Sequence, residues 1–205
     1  GSPLFSGDAG GGESEIRRYI LENDWLETIV ALPTELFYNT GIGTFIWVLS
    51  NKKEDKRKGK IQLIDATSMK SPLRKNLGKK NCEISSEIRR EIVRMYMEME
   101  ESECSKIFNN EDFGYWKVTV CRPLYEDGKI VTDKKGTPKP DKNLSDTEQI
   151  PFTYEGGIEA FFENEIKPFA PDAWIDEKAT KIGYELSFTK YFYKPVELRP
   201  LDEIV

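Results

Sequence analysis

The sequence contains no histidine, and its three cysteines, Cys82, Cys104 and Cys121, stand far apart with no C-x-x-C spacing. Without histidine, the Ser-His-Asp and Cys-His nucleophile arrangements are excluded. A zinc site built from cysteine and histidine is nearly excluded too, so no metal is expected. An odd count of unpatterned cysteines suits a reducing cytoplasm, which is the expected location. No apolar run reaches the roughly 18 residues of a membrane span. The most apolar window, Gly43–Leu49, has the length of a strand. The Gly/Ser-rich start also lacks the basic flank and apolar stretch of a secretory signal. No internal repeat is visible.

What is present suits an ordinary globular chain. Hydrophobic residues make up 38% and aromatics 12% of 205 residues, enough to bury a core in one domain or in part of a larger one. The formal charge of −6 does not suggest a nucleic-acid binder. Its distribution says more. Residues 52–80 hold eleven Lys/Arg against three acids, a local +8 that leaves −14 for the remainder. A solvated loop explains such a run without any ligand. The sharper reading is a phosphate-facing edge, with Lys52, Lys53, Lys56, Arg57 and Lys58 as contacts whose binding weakens with salt.

Along the chain, the glycines of residues 1–12 predict a loop. Ser14 is a candidate N-cap for a short helix with Ile16, Tyr19 and Ile20 on its apolar face. A phosphate-binding reading of the preceding glycines lacks the Gly-Lys-Ser/Thr that such a loop needs. Leu26–Leu32 and Thr44–Ser50 are continuous apolar runs, expected as strands covered on both faces. Lys60–Asp65 is a third strand. The hydrophilic link before it is too short for a crossover helix, so the second and third strands are expected to pair antiparallel. Farther on, Ser85 or Ser86 caps a helix bearing Ile88, Ile92, Met95 and Met99, a stripe that core or partner packing explains. Lys117–Cys121 is strand-like, Asp127-Gly128 is a turn signal, and residues 126–148 read as an exposed loop. A helix is expected over Ile158–Ile166, alternation over Tyr184, Leu186 and Phe188, and a helix start at Pro200. The aromatic run Tyr184–Tyr193 fits packing better than nucleic-acid stacking.

Several blocks also occur in a distinctive order. They are Gly1-Ser-Pro-Leu-Phe5, Glu15-Ile-Arg-Arg18, Ile29-Val-Ala-Leu-Pro33, Leu36-Phe-Tyr-Asn-Thr-Gly-Ile42 and Thr44-Phe-Ile-Trp-Val-Leu49. Asp112-Phe-Gly-Tyr115, Arg122-Pro-Leu124, Asp172-Ala-Trp-Ile-Asp176 and Gly183–Tyr193 follow. The ordered set resembles the modification subunits of type I restriction-modification systems, which are N6-adenine DNA methyltransferases. The resemblance implies an α/β fold: the C-terminal part of a Rossmann-like, S-adenosylmethionine-dependent methyltransferase sheet that ends in an antiparallel hairpin, plus a mixed helical and strand tail. Residues 1–80 would belong to the methyltransferase domain, and residues 81–205 to a tail packing on it and on partner subunits.

The family's catalytic Asn-Pro-Pro-Phe/Tyr is absent, since the chain has no Asn-Pro dipeptide. Its glycine-containing donor motif is absent as well. Both normally lie upstream of Gly1, so the chain is expected to be truncated at both ends and inactive alone. No bound cofactor is expected, although the full-length protein would use S-adenosylmethionine. By position, Phe37 matches the aromatic residue that stacks on the flipped adenine in related enzymes, with Tyr38, Asn39 and Thr40 beside it. Packing of Phe37 in the core with Leu36 and Trp47 is the competing reading. Implied partners are DNA, the specificity subunit, the restriction subunit and a second copy of the modification subunit, with no membrane. Two alternatives remain: a non-catalytic module that docks the specificity subunit, and an unrelated α/β domain with a lysine-rich loop.

Overall fold

Seven consecutive buried residues, Leu26–Leu32, form the strand β1 on which the rest of its sheet is assembled. The computed structural model describes residues 4–193. The helix expected from Pro200 therefore lies outside the described residues. Helix α1 (Gly12–Glu22) leads into β1. The strands β2 (Thr44–Leu49) and β3 (Lys60–Asp65), the hairpin strands β4 (Ser71–Leu77) and β5 (Lys80–Glu83), helix α2 (Ser86–Glu98) and β6 (Ser105–Asn109) follow. The four-stranded sheet has the order β2-β1-β3-β6. β1 and β3 are parallel, in register from Thr28 opposite Gln62 to Ala31 opposite Asp65.

This order replaces the expected hairpin between β2 and β3, because β1 lies between them. The Ser50 N–H donates to Trp25 O at 2.8 Å, which sets the end of β2 beside the start of β1. The following residues cross two strand spacings, about 10 Å, to enter β3. A short hydrophilic link thus bridges over a strand as readily as it closes a hairpin. β2 also differs from the expectation of two covered faces: Phe45, Ile46 and Leu49 are exposed on this sheet-edge strand.

α1 starts at Gly12 with Gly11 as N-cap, so Ser14 sits inside the first turn, buried, instead of capping it. The helix is also rotated from the expected face. Ile16 and Tyr19 point outward, while Ser14, Arg17 and Leu21 are buried. Arg17 turns inward because carbonyls await it. It donates to Tyr184 O at 2.7 Å and to Ser6 O and Gly7 O at 3.0 Å each. Burial lowers its pKa, an effect partly offset by nearby Tyr115, Glu185 and Glu13.

The later part of the chain adds β7 (Gly114–Cys121), the short strands β8 (Tyr125–Glu126) and β9 (Lys129–Ile130), β10 (Asp146–Pro151), helix α3 (Gly157–Phe161), β11 (Trp174–Tyr184) and helix α4 (Phe188–Phe192). The order β10-β7-β11 makes an antiparallel sheet. Asp127 and Gly128 both adopt positive φ between β8 and β9, as a two-residue hairpin turn requires.

Packing divides the chain into two interleaved compact units. Among the described residues, one comprises 4–27, 49–61 and 108–186; the other comprises 28–48, 62–107 and 187–193. β6, from beyond residue 80, joins the sheet that holds β1 and β3. In the first unit Val118, Val120, Ile150 and Ala173 form the core, joined by Ile158, Phe161 and Phe162. In the second, Val30, Leu32, Leu36, Ile64, Ala66, Cys82 and Met95 pack together, with Ile92 and Tyr96 of α2 against them. Ser85 caps α2 as expected, its hydroxyl accepting from the Ile88 N–H at 3.2 Å.

Candidate nucleic-acid interface

Pro33 ends β1, and the chain then turns through a polar-aromatic loop. Leu36 goes inward to the core beside Val30, Leu32 and Ile64. Its neighbours go outward: Phe37 is 48% exposed and Tyr38 69%. Glu35 and Asn39 both hold positive φ, +58° and +55°, so the loop reverses direction on either side of the two rings. That conformation is costly for side chains with a Cβ, although Asn tolerates it better than most. It persists only where neighbours over-determine it.

The β4–β5 hairpin supplies those neighbours. The Asn81 N–H donates to Glu35 O at 3.2 Å, and its side-chain amide donates to the Glu35 carboxylate. The Cys82 thiol donates to Thr34 O at 3.4 Å. At the hairpin tip Gly78 has φ +61°, and a Cβ there would fall 2.5 Å from Asn39 Oδ1 and 3.1 Å from Tyr38 Cε2. The tip therefore touches the loop directly. Within the loop, the Thr40 N–H reaches Phe37 O at 3.5 Å. Phe37, Tyr38, Asn39 and Thr40 are thus held together on one braced loop, with Leu36 buried in the core and Phe37 about half exposed beside it.

The five cations expected at phosphates fare differently. Lys53 is buried, its ammonium 2.5 Å from Asp24 and donating to Lys60 O at 2.8 Å. Arg57 is 3% exposed, 3.9 Å from Glu27. Both are committed to anchoring the β2–β3 link, which narrows the phosphate reading there to Lys52, Lys56 and Lys58. Of these, Lys56 pairs with Glu54 at 3.2 Å and Lys58 with Asp55 at 2.6 Å.

Asp24, which the sequence did not single out, organises this link. It adopts φ +55° at the end of the α1–β1 turn. Its carboxylate accepts from Lys53, from the Gly59 N–H at 2.9 Å and from the Asn110 amide at 2.8 Å. Partial burial alone would raise this carboxyl, but the three donors together hold it below its ordinary value. The only local signal in the sequence was the Asn-Asp pair closing the helix.

A separate cavity of about 320 Å³ opens beside Ala31 and Asp65, near the carboxyl ends of the two parallel strands. Phe45, Phe188 and Phe192 line it. Asp65 Oδ1 accepts from both the backbone and the hydroxyl of Thr67. Phe188 is buried, in keeping with the packing role expected for much of the Tyr184–Tyr193 run. Among the described residues no group of three or more Cys, Asp or Glu side chains could hold a metal ion. No helix among them is long and apolar enough to cross a membrane.

This is an α/β protein that presents an aromatic loop at the carboxyl end of a buried parallel strand, where such folds place ligand-facing segments. A family profile described as N-6 DNA methylase matches residues 3–116, and the chain belongs to that family. The methylase subunit of the type I restriction enzyme MjaIX of Methanocaldococcus jannaschii is 32% identical over 124 residues, 60% of this chain and 21% of that protein. The HindI methylase subunit of Haemophilus influenzae is 50% identical over 54 residues, 26% of this chain and 12% of that protein. A solved type I restriction-modification methyltransferase subunit from Streptococcus thermophilus aligns with TM-score 0.44 and 24% identity, over 53% of this chain and 21% of that one. The chain spans about a fifth or less of the length of these relatives.

Proposed function

We propose that this chain is part of the modification subunit of a type I restriction-modification system, which transfers a methyl group from S-adenosylmethionine to adenine N6 in DNA. The observation that carries the reading is the exposed Phe37–Tyr38 pair, held on a braced loop inside the stretch that matches the family. An enzyme acting on a base must flip it from the duplex and hold it against an aromatic face. Phe37 offers that face, while Tyr38, Asn39 and Thr40 border the same base. The sheet would be the C-terminal part of a Rossmann-like methyltransferase sheet.

The residues present do not fit the methyl donor. Gly41 and Gly43 lie between β1 and β2 rather than entering a helix, and no Asn-Pro dipeptide occurs. We therefore assign donor binding and the polarisation of the adenine amine to other parts of the protein. The specificity subunit, the restriction subunit and a second modification subunit are its proposed partners in the cytoplasm. Val93 and Met97, exposed one turn apart on α2, favour a second role for this stretch in docking the specificity subunit.

Titration of this chain with S-adenosylmethionine in a calorimeter, beside a methylation assay, tests the division of labour. The chain alone is expected to give no saturable heat and no methylated DNA, whereas the longer protein gives both. Saturable donor binding by the chain alone at micromolar concentration would mean that the donor site has been misplaced.

A further inference from the structure

The cationic stretch 52–80 reads as one continuous feature in the sequence, but the fold divides it in two. In the β2–β3 link, Lys53, Lys56, Arg57 and Lys58 each have a carboxylate partner. Residues 70–80 are different. They hold Lys70, Arg74, Lys75, Lys79 and Lys80 and no acid at all. Arg74, Lys75 and Lys79 are exposed on the β4–β5 hairpin. Among the described residues the side chains of these five cations form no ion pair. The same hairpin braces the aromatic loop through Asn81, Cys82 and Gly78.

We infer that the β4–β5 hairpin is a phosphate clamp: Arg74, Lys75, Lys79 and Lys80 grip the backbone of duplex DNA on either side of the base that the 37–40 loop engages. The inference rests on the DNA-methylase reading and names the residues that hold its substrate. A cation already paired with a carboxylate must break that pair to meet a phosphate, so the hairpin wins over the link. Duplex DNA also supplies the dense array of phosphates that an acid-free cationic hairpin attracts. The contacts go to phosphate and carry no base readout. Physical coupling to Asn39 and Tyr38 makes the clamp a positioning device as well as an anchor.

The test is fluorescence anisotropy of a labelled duplex at 50 to 200 mM salt. It compares the unaltered chain, a hairpin variant (Arg74→Gln, Lys75→Gln and Lys79→Gln) and a link variant (Lys52→Gln, Lys56→Gln and Lys58→Gln). Each phosphate contact contributes about 0.9 to the slope of log affinity against log salt. The hairpin variant should therefore lose about 2.7 of that slope, and its affinity should fall about 40-fold less than that of the unaltered chain over the fourfold salt range. The link variant should lose less than about one unit. Circular dichroism confirms that both variants stay folded, as exposed positions allow. A hairpin variant with an unchanged slope overturns the inference, and so does an unaltered chain whose duplex binding has no salt dependence. Methylation by the longer protein separates the two levels. If DNA is methylated and the hairpin slope is unchanged, only the clamp fails; if no DNA is methylated, the underlying reading fails.

Discussion

Replacing Phe37 with alanine in the longer protein should slow DNA methylation roughly 5- to 150-fold, the kinetic equivalent of the 1–3 kcal/mol that one aromatic stacking face contributes. Stability should barely change. The ring is 48% exposed, and Leu36 fills the neighbouring core position. Surface substitutions of this kind usually stay within about 0.5 kcal/mol, or about 2 °C in Tm for a chain of this size. Phe37→Trp should keep most of the activity, because a π-face remains in place. A core residue would behave in the opposite way: alanine would lower Tm by several degrees and tryptophan would fit poorly. Activity and Tm measured together on both variants decide between them. Full activity in Phe37→Ala would remove Phe37 from the base pocket.

Asp24→Asn should destabilise the fold by about 3 kcal/mol at pH 7, lowering Tm by about 6–12 °C. The substitution keeps a side chain that tolerates positive φ, but it strips the counter-charge from Lys53, whose side chain is only 2% exposed. An uncompensated buried ammonium is the costly outcome. Lys53→Met should cost much less, since the Asp24 side chain is 30% exposed and retains Gly59 and Asn110 as donors. The pH dependence follows from the direction of the shift. Because the folded-state pKa of Asp24 lies below the unfolded one, its contribution is complete above the unfolded value and disappears as pH falls through the folded value. Urea melts at pH 7 and at successively lower pH should therefore show the gap between wild type and Asp24→Asn closing as Asp24 becomes protonated in the folded state. A gap under about 0.5 kcal/mol at pH 7 would show that Lys53 finds other compensation.

Much of the local structure is legible in the residues. Leu26–Leu32 has the unbroken apolar run of a strand buried on both faces, and Ser85 precedes a helix with an apolar stripe. Asp127-Gly128 marks a hairpin. What fails depends on partners distant in sequence. The outward turn of Ile16 and Tyr19 follows from Arg17 satisfying carbonyls that include Tyr184, far along the chain. The order of β2 and β3 is open in the sequence, because residues 50–59 can close a hairpin or bridge over β1 with equal ease. Asp24, just before β1, and Glu27, within it, neutralise Lys53 and Arg57, so a local count of 52–80 overstates the free charge of the link. For the aromatic loop, the resemblance pointed to Phe37–Thr40 as the proposed base contacts, while the bracing hairpin emerges only in three dimensions.

The most direct test of the proposed activity is the chemical identity of the methylated base. Duplex DNA is treated with the longer protein, its specificity subunit and S-adenosylmethionine, then digested to nucleosides and separated by mass. The expected product is N6-methyladenine, lost in parallel with the activity of Phe37→Ala. Methyl groups found only on cytosine, or none on DNA while the donor is bound, would contradict the assignment of this chain to an adenine-modifying subunit.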